Sequence, residues 1–416
     1  MKNQKSHIDL VPHLFREEYA KMTAVLCRHF GLKHIEIAED IASDTFLKAS
    51  EHWAIHGVPE NPIAWLYTVA KNKTRDYFKH ISIFETQIKH NLKYDQPQYS
   101  VNIEFNEQII SDSQLAMVFA VCNPANSAEN QIALALQILC GFGVEEIANA
   151  FITKSETIKK RLQRARNNLR KDNFQLKTLT KPEIQSRQET VLQTLYLLFN
   201  EGYFSKSNNQ LIRRELCTQA VRLNLILTEN PLTNTPQTNA LLALMCFQSS
   251  RLEARTNKKG EAVLFEEQDK SLWDKPLIER GNYYLVKATN GKETSKYHLE
   301  AGIAYWHTTS TDNANKWKNI LLLYNQLILI EYSPITALNR TFAFSKVYGN
   351  QKAIIEAEKL HLTESNYYSE LMGYLYADID YVKAISHYKR AIELTKSETQ
   401  KRTLTRKIAL LQKETN

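Results

Sequence analysis

Apolar residues recur every three or four positions along most of this chain, and valine-rich stretches that alternate every second residue do not occur. That period predicts helices and argues against a sheet. The clearest run is Val144–Lys171. Val144, Ile147, Ala148 and Phe151 give a short helix one apolar face. Ile152-Thr153-Lys154 then reads as a tight turn. Ser155 reads as an N-cap, and Glu156 stands in the first turn, where a negative charge suits the helix dipole. Ile158, Leu162, Ala165 and Leu169 form the buried stripe of a second helix. Lys159, Lys160, Arg161, Gln163, Arg164 and Arg166 fall opposite that stripe. A short helix, a tight turn and a basic helix make a helix-turn-helix arrangement, in which side chains near the second helix's N-terminus reach base edges and flanking cations neutralise phosphates. A solvated helix face has the same charge pattern, so neighbouring stretches must decide.

Upstream, His13–His29 and Ile35–Trp53 read as two helices, the second with Ile37, Ile41, Thr45 and Ala49 on one face and Asp40, Asp44 and Glu51 on the other. Residues 56–62 break the pattern, and Pro62 opens a new helix. In it Lys71, Lys73, Arg75 and Lys79 interleave with Tyr67, Tyr77 and Phe78. Cations among aromatics suit unpaired DNA, holding the backbone while rings stack on bases. The competing reading turns Trp65 and Phe78 into a core. Residues 81–118 lack a sustained period and are expected to be a linker, 119–173 a second small helical module, and 174–186 a polar connector. From 187 to 416 the chain is helical and rich in aromatics. Near its end Ala384, Tyr388 and Ala391, with Leu375 and Tyr381 before them, have the small–aromatic spacing of a tetratricopeptide-like helix pair. Ala337–Ile354 is a weaker neighbour, and two such units must pack on the helices before them.

Composition fits an all-α fold: Gly and Pro are scarce, at 11 and 10 of 416 residues. The N-terminus is polar, no apolar run approaches a membrane span, and the five cysteines form no CxxC pair, so a cytoplasmic protein with reduced thiols and no membrane partner is expected. The net charge of +8 matters less than its segregation. Residues 101–153 contain no Lys or Arg, whereas 154–171 carry eight basic residues and one acid. A second acidic cluster at Glu36, Glu39, Asp40, Asp44 and Glu51 precedes the basic one at 71–79. Such blocks predict two surfaces facing DNA and one facing a basic protein.

AEDIASDTFLKASEHW followed by NPIAWLYTVAKNKTRDYFKH resembles region 2 of bacterial RNA polymerase sigma factors, in the extracytoplasmic-function group of the sigma-70 family. LALQILCGFGVEEIANAFITKSETIKKRLQRARNNLR resembles their region 4. The resemblance implies a factor that binds core RNA polymerase, through the β′ clamp helices and the β flap, and directs it to promoter DNA. It implies polymerase contacts at Asp40, Asp44 and Phe46, and contacts to the opened −10 element at Asn72, Arg75, Asp76 and Lys79. It implies −35 reading by Ser155, Thr157, Lys159, Lys160, Arg161 and Arg164. The stretches 195–205, 241–255, 264–274 and 333–344 resemble the helical extension of one subgroup of these factors. A regulatory role is expected for this tail, with a protein or small-molecule partner.

No phosphate loop, nucleophile elbow, cofactor motif or catalytic residue is legible. Glu201, Arg251, Arg255, Glu266 and Asp269 are charges set in or beside apolar segments. They predict a polar cluster, either an ion-pair network or a ligand site. His298, Glu300 and His307 lack zinc-protease spacing, and no metal is expected. Two other readings compete: a helix-turn-helix regulator with a helical sensor domain, and an enzyme housed in the tail.

Overall fold

A computed structural model describes residues 7–88, 103–172, 174–204, 210–255, 257, 263, 265–291, 293–309 and 314–414. Among them are eighteen α-helices and no strand. The chain divides into two compact units, Met1–Leu198 and Phe199–Asn416.

The first unit opens with α1 (His7–Phe30), α2 (Ile35–His56) and α3 (Pro62–Ile88). Met22, Val25, Leu26, Ile35, Ala38, Phe46, Trp53 and Leu66 make their shared core. Trp53 is 1% exposed and meets Trp65 edge-on at 5.4 Å. The helices α4 (Glu107–Val121), α5 (Ala128–Cys140), α6 (Val144–Ala150) and α7 (Ser155–Lys171) follow. The linker expectation is corrected here, because α4 occupies 107–118 and is the centre of this module. Leu115–Cys122 is buried on every side, so its run of apolar residues carries no helical period to read. Residues 89–102 lie outside the described ones. Gly141 ends α5 in the left-handed conformation, at φ 69°, which only glycine adopts without strain and which turns the chain into α6.

The polar connector is also corrected. Leu176, Leu179 and Ile184 are buried, and α8 (Lys181–Tyr203) has already begun at Lys181. Its Arg187 donates to Asp172 at 2.7 Å and to the Phe119 carbonyl at 3.2 Å. Thr194 donates to Gln131 at 2.5 Å. Most of α8 therefore belongs to the first unit.

In the second unit α9 (Gln210–Glu229), α10 (Pro236–Ser249), α11 (Lys275–Ala288) and α12 (Lys296–Thr308) precede α13 (Ala314–Ile330) and α14 (Pro334–Tyr348). α10 is buried from Thr238 to Phe247, and α9, α11 and α12 pack around it. The starts of these helices obey local chemistry: Thr235, Asp274 and Ser333 accept from backbone N–H groups, and a proline sits in each first turn. The chain closes with α15 (Asn350–Glu358), α16 (Asn366–Tyr376), α17 (Tyr381–Leu394) and α18 (Glu398–Glu414). Each packs on the next. Ala384, Tyr388 and Ala391 are buried as the spacing predicts, while Tyr381 is exposed. Gly373 lets the Tyr388 ring lie against the α16 backbone, since a Cβ there would stand 2.6 Å from the ring.

Candidate nucleic-acid interface

Asn72, Arg75, Asp76 and Lys79 occupy steps of three and four on α3, and all four are exposed on one face. Tyr67, Tyr77 and Phe78 turn away from that face, while Trp65 lies two turns N-terminal on the same side, half-buried. Phe78 stacks on Phe30 at 5.0 Å, Tyr77 meets Phe30 edge-on at 5.6 Å, and Trp65 meets Trp53 and His52 at 5.4 Å. The Tyr67 hydroxyl donates to Glu18 at 2.5 Å and its ring packs on Phe105. Rings expected to reach for bases are thus engaged within the protein, and the exposed α3 face is polar.

On α2, Asp40 and Asp44 are exposed, and Lys73 donates to Asp44 at 3.2 Å. Phe46 points inward, 4% exposed, edge-on to Phe15 at 5.1 Å. It holds the helix in place from within and offers no outer surface.

The stretch at 144–171 forms two helices about a turn. Ile152 takes a left-handed φ of 50° with its side chain exposed, and the Thr153 N–H returns to the Ala148 carbonyl at 2.9 Å. Ser155 is the first helical residue; Lys154 occupies the cap in extended conformation, with no side-chain bond to the first turn. The cap expectation is displaced by one residue, because α6 ends at Ala150, one residue earlier than the pattern suggested, and the turn shifts with it. Ile158, Leu162, Ala165 and Leu169 are buried as predicted. Lys159, Lys160 and Arg164 are exposed, and Ser155, Thr157 and Arg161 are half-buried. Glu156 and Lys159 pair at 2.8 Å, which lowers the Glu156 carboxyl and raises the Lys159 amine.

Arg166 departs from the pattern, which placed it on the solvated side. Both of its terminal nitrogens donate to Glu39 at 2.7 Å, and Gln137 accepts from it at 2.8 and 3.2 Å. Both side chains of the pair are only 14% exposed. Burial is the largest single influence and works against the charge, but the hydrogen bonds and the charge of Glu39 together with its other neighbours outweigh it, so Arg166 titrates above its ordinary range. One turn on, Arg170 pairs with Glu36, and across the unit Arg16 reaches Glu146 at 3.1 Å. Two blocks of the charge pattern therefore neutralise one another inside the first unit. Sequence reasoning saw both blocks and missed their pairing; the excess of acid on α2 was the available signal.

In the second unit Arg251 and Arg255 converge on Tyr203. Arg251 donates to its hydroxyl at 3.3 Å, and Arg255 donates to its carbonyl at 3.0 Å and lies over its ring at 3.7 Å. Asp269 does not join them; it is exposed and accepts from the Ser271 N–H at 2.9 Å, which lowers its carboxyl. Glu201 is half-buried and has a partner of its own. The Glu266 side chain lies outside the described residues. His298 bonds Ser295 and the Ala288 carbonyl, while His307 is packed elsewhere, against Phe265 at 4.6 Å. Among the described residues no group of His, Cys, Asp and Glu is placed to hold a metal, and no helix is long and apolar enough to cross a membrane.

Residues 14–82, which span most of α1, all of α2 and most of α3, match the Sigma-70 region 2 family. RNA polymerase sigma factor YlaC of Bacillus subtilis (strain 168) is 26% identical over 172 residues, covering 40% of this chain and 93% of that protein. Residues 14–82 thus match a Sigma-70 region 2 domain, and a named sigma factor is similar over the first part of the chain. The exposed face of α3 and the acidic side of α2 thus lie within the stretch that matches Sigma-70 region 2. Residues 187–289 match a family of unknown function, DUF6596. Uncharacterized protein R00370 of Rhizobium meliloti (strain 1021) is 30% identical over 383 residues, covering 90% of this chain and 89% of that protein, so the likeness to it runs through both units. No solved structure matches the chain.

Proposed function

We propose that the chain is a sigma factor of the extracytoplasmic-function group that binds core RNA polymerase and selects promoters, with its helical tail regulating or supporting that activity. One observation carries the reading. Within a domain matched to Sigma-70 region 2, Asn72, Arg75, Asp76 and Lys79 form one exposed polar face, backed by aromatics that fix its orientation. In this reading that face engages the opened −10 strand, and Asp40 and Asp44 contact the β′ clamp helices. The exposed Lys159, Lys160 and Arg164, with Ser155, Thr157 and Arg161 beside them, read the −35 duplex, where bidentate Arg contacts to base edges give specificity and Lys contacts give affinity. The β flap is the expected partner of the second module. A tetratricopeptide-like end of the tail fits a protein partner.

Transcription in vitro with core polymerase across a promoter library tests this. The full chain supports initiation, Arg75→Glu/Lys79→Glu abolishes it while leaving the helical content intact, and neither protein initiates without polymerase. Duplex binding by the chain alone, undiminished by Asp40→Ala/Asp44→Ala and with no transcription in any arm, sinks the sigma reading and supports a conventional regulator.

A further inference from the structure

Buried polar atoms without a partner gather in one part of the second unit. Of the fourteen such side-chain atoms among the described residues, six belong to Gln248, Ser249, Arg251, Gln268, Trp273 and His307. Three of these surround the Phe265 ring. The Arg251 guanidinium lies over it at 5.2 Å and over Trp273 at 6.0 Å. The His307 ring meets it edge-on at 4.6 Å, and Trp273 lies 6.1 Å away. Lys316, 2% exposed and engaged with a partner of its own, stands 5.5 Å from the same ring.

Arg251 is the anomaly. It is 8% exposed, it makes one hydrogen bond, to the Tyr203 hydroxyl at 3.3 Å, and its Nε has no acceptor. Among the described residues it forms no ion pair with a carboxylate. A guanidinium taken out of water needs an anion or a full set of acceptors. Two ring faces near the roughly 6 Å limit of cation–π attraction replace only part of its hydration. Arg255, close by, differs: it is spent on the Tyr203 carbonyl at the end of α8 and on the ring beneath it.

We infer that Arg251, Trp273 and His307 form a binding site for a small oxyanion, the phosphate or carboxylate group of a soluble ligand. The Arg251 Nε and the Trp273 Nε1 supply N–H donors, Arg251 supplies the charge, and the neutral His307 ring supplies a third donor in the tautomer that carries its proton on Nδ1. Phe265 and the buried Lys316 complete the surroundings, and burial strengthens each of those bonds. It lies wholly in the second unit, and the inference stands whatever the first unit does.

The test titrates the full chain with sodium phosphate, and in parallel with sodium acetate, at ionic strength held constant with sodium chloride. Two readouts are followed, thermal midpoint and intrinsic fluorescence, the latter compared with Trp273→Phe. We expect a saturable response in at least one arm below roughly 20 mM, and the tighter arm tells phosphate from carboxylate. Arg251→Lys keeps the charge, loses the planar fork, and weakens the response about tenfold. Arg251→Gln abolishes the response, yet unfolds no lower than the parent chain without added anion, because it removes a buried charge that no carboxylate among the described residues pairs with. Lys159→Gln/Lys160→Gln/Arg164→Gln leaves the response unchanged. No saturable response in either arm, a response that survives Arg251→Gln, or one lost in the triple variant overturns the site. So does an Arg251→Gln chain that unfolds well below the parent or fails to fold, which would mark Arg251 as a packing post.

Discussion

Glu39→Gln is the sharpest perturbation of the first unit. It keeps the shape and removes the charge that Arg166 grips with two hydrogen bonds of 2.7 Å. With both side chains 14% exposed the pair is well inside the regime where loss of one partner is costly. Two features temper the loss: Gln137 keeps its bonds to the guanidinium, and Glu36 stands 3.9 Å away as a substitute anion. The cost is therefore about 2–3 kcal/mol, below the roughly 3–5 kcal/mol of a fully buried pair. Hydrogen exchange of the full chain measures it locally. At about 1.4 kcal/mol per tenfold, protection of α7 and α2 amides falls roughly 30- to 150-fold, while α10 and α12 are unchanged. Glu39→Gln/Arg166→Gln restores part of the loss, because no buried charge is left alone. A fall under about threefold, the scale of an exposed surface pair, refutes the account, and so does a double variant worse than the sum of the singles.

Three further outcomes are expected. Burial, then the charges of Arg251 and Lys316, hold the His307 ring at a pKa of about 3, so it stays neutral in the folded chain from neutral pH down to that value. An unfolded histidine takes its proton near pH 6.5, so stability is fully present above that pH and falls as pH drops toward 3; between pH 7 and 5 the loss is about 2 kcal/mol, which His307→Gln removes when the two unfolding curves are compared. Gly373→Ala drives a methyl into the Tyr388 ring, lowering stability by about 1–3 kcal/mol in denaturant titrations, and Tyr388→Leu in the same chain relieves it. For duplex binding, Lys159→Gln and Lys160→Gln each reduce the slope of log affinity against log salt by about 1; slopes unchanged by both place the duplex elsewhere.

Local chemistry was legible and distant pairing was not. The stripe Ile158, Leu162, Ala165 and Leu169 is a matter of residues three and four apart, and the α7 fold obeys it. Arg166 broke the same pattern because its partner lies 127 residues away on α2, which no helical period encodes. α4 was missed for the opposite reason: its second half, Leu115–Val121, is buried on every side and has no polar face to give it a period. In the second unit Arg251 and Arg255 stood out as charges within apolar sequence, but the rings that enclose Arg251, Phe265 and Trp273, come from another stretch, 264–274. Asp269 was misjudged because an acid before a short helical turn is first of all a cap.

The contact of α2 with α7 sets a threshold. Any state that draws the two helices apart gives up the three hydrogen bonds that Arg166 and Arg170 make to Glu39 and Glu36. It also returns two cations and two carboxylates to water. The free energy of that parting is subtracted from whatever the separated helices gain, so the apparent affinity of the open state falls by the fraction of molecules that are closed. A weak partner leaves the chain shut, and a strong one opens it. The same cost is subtracted for every partner of the open state, so the concentration each one needs is set by Glu36 and Glu39 as well as by the residues that touch the partner.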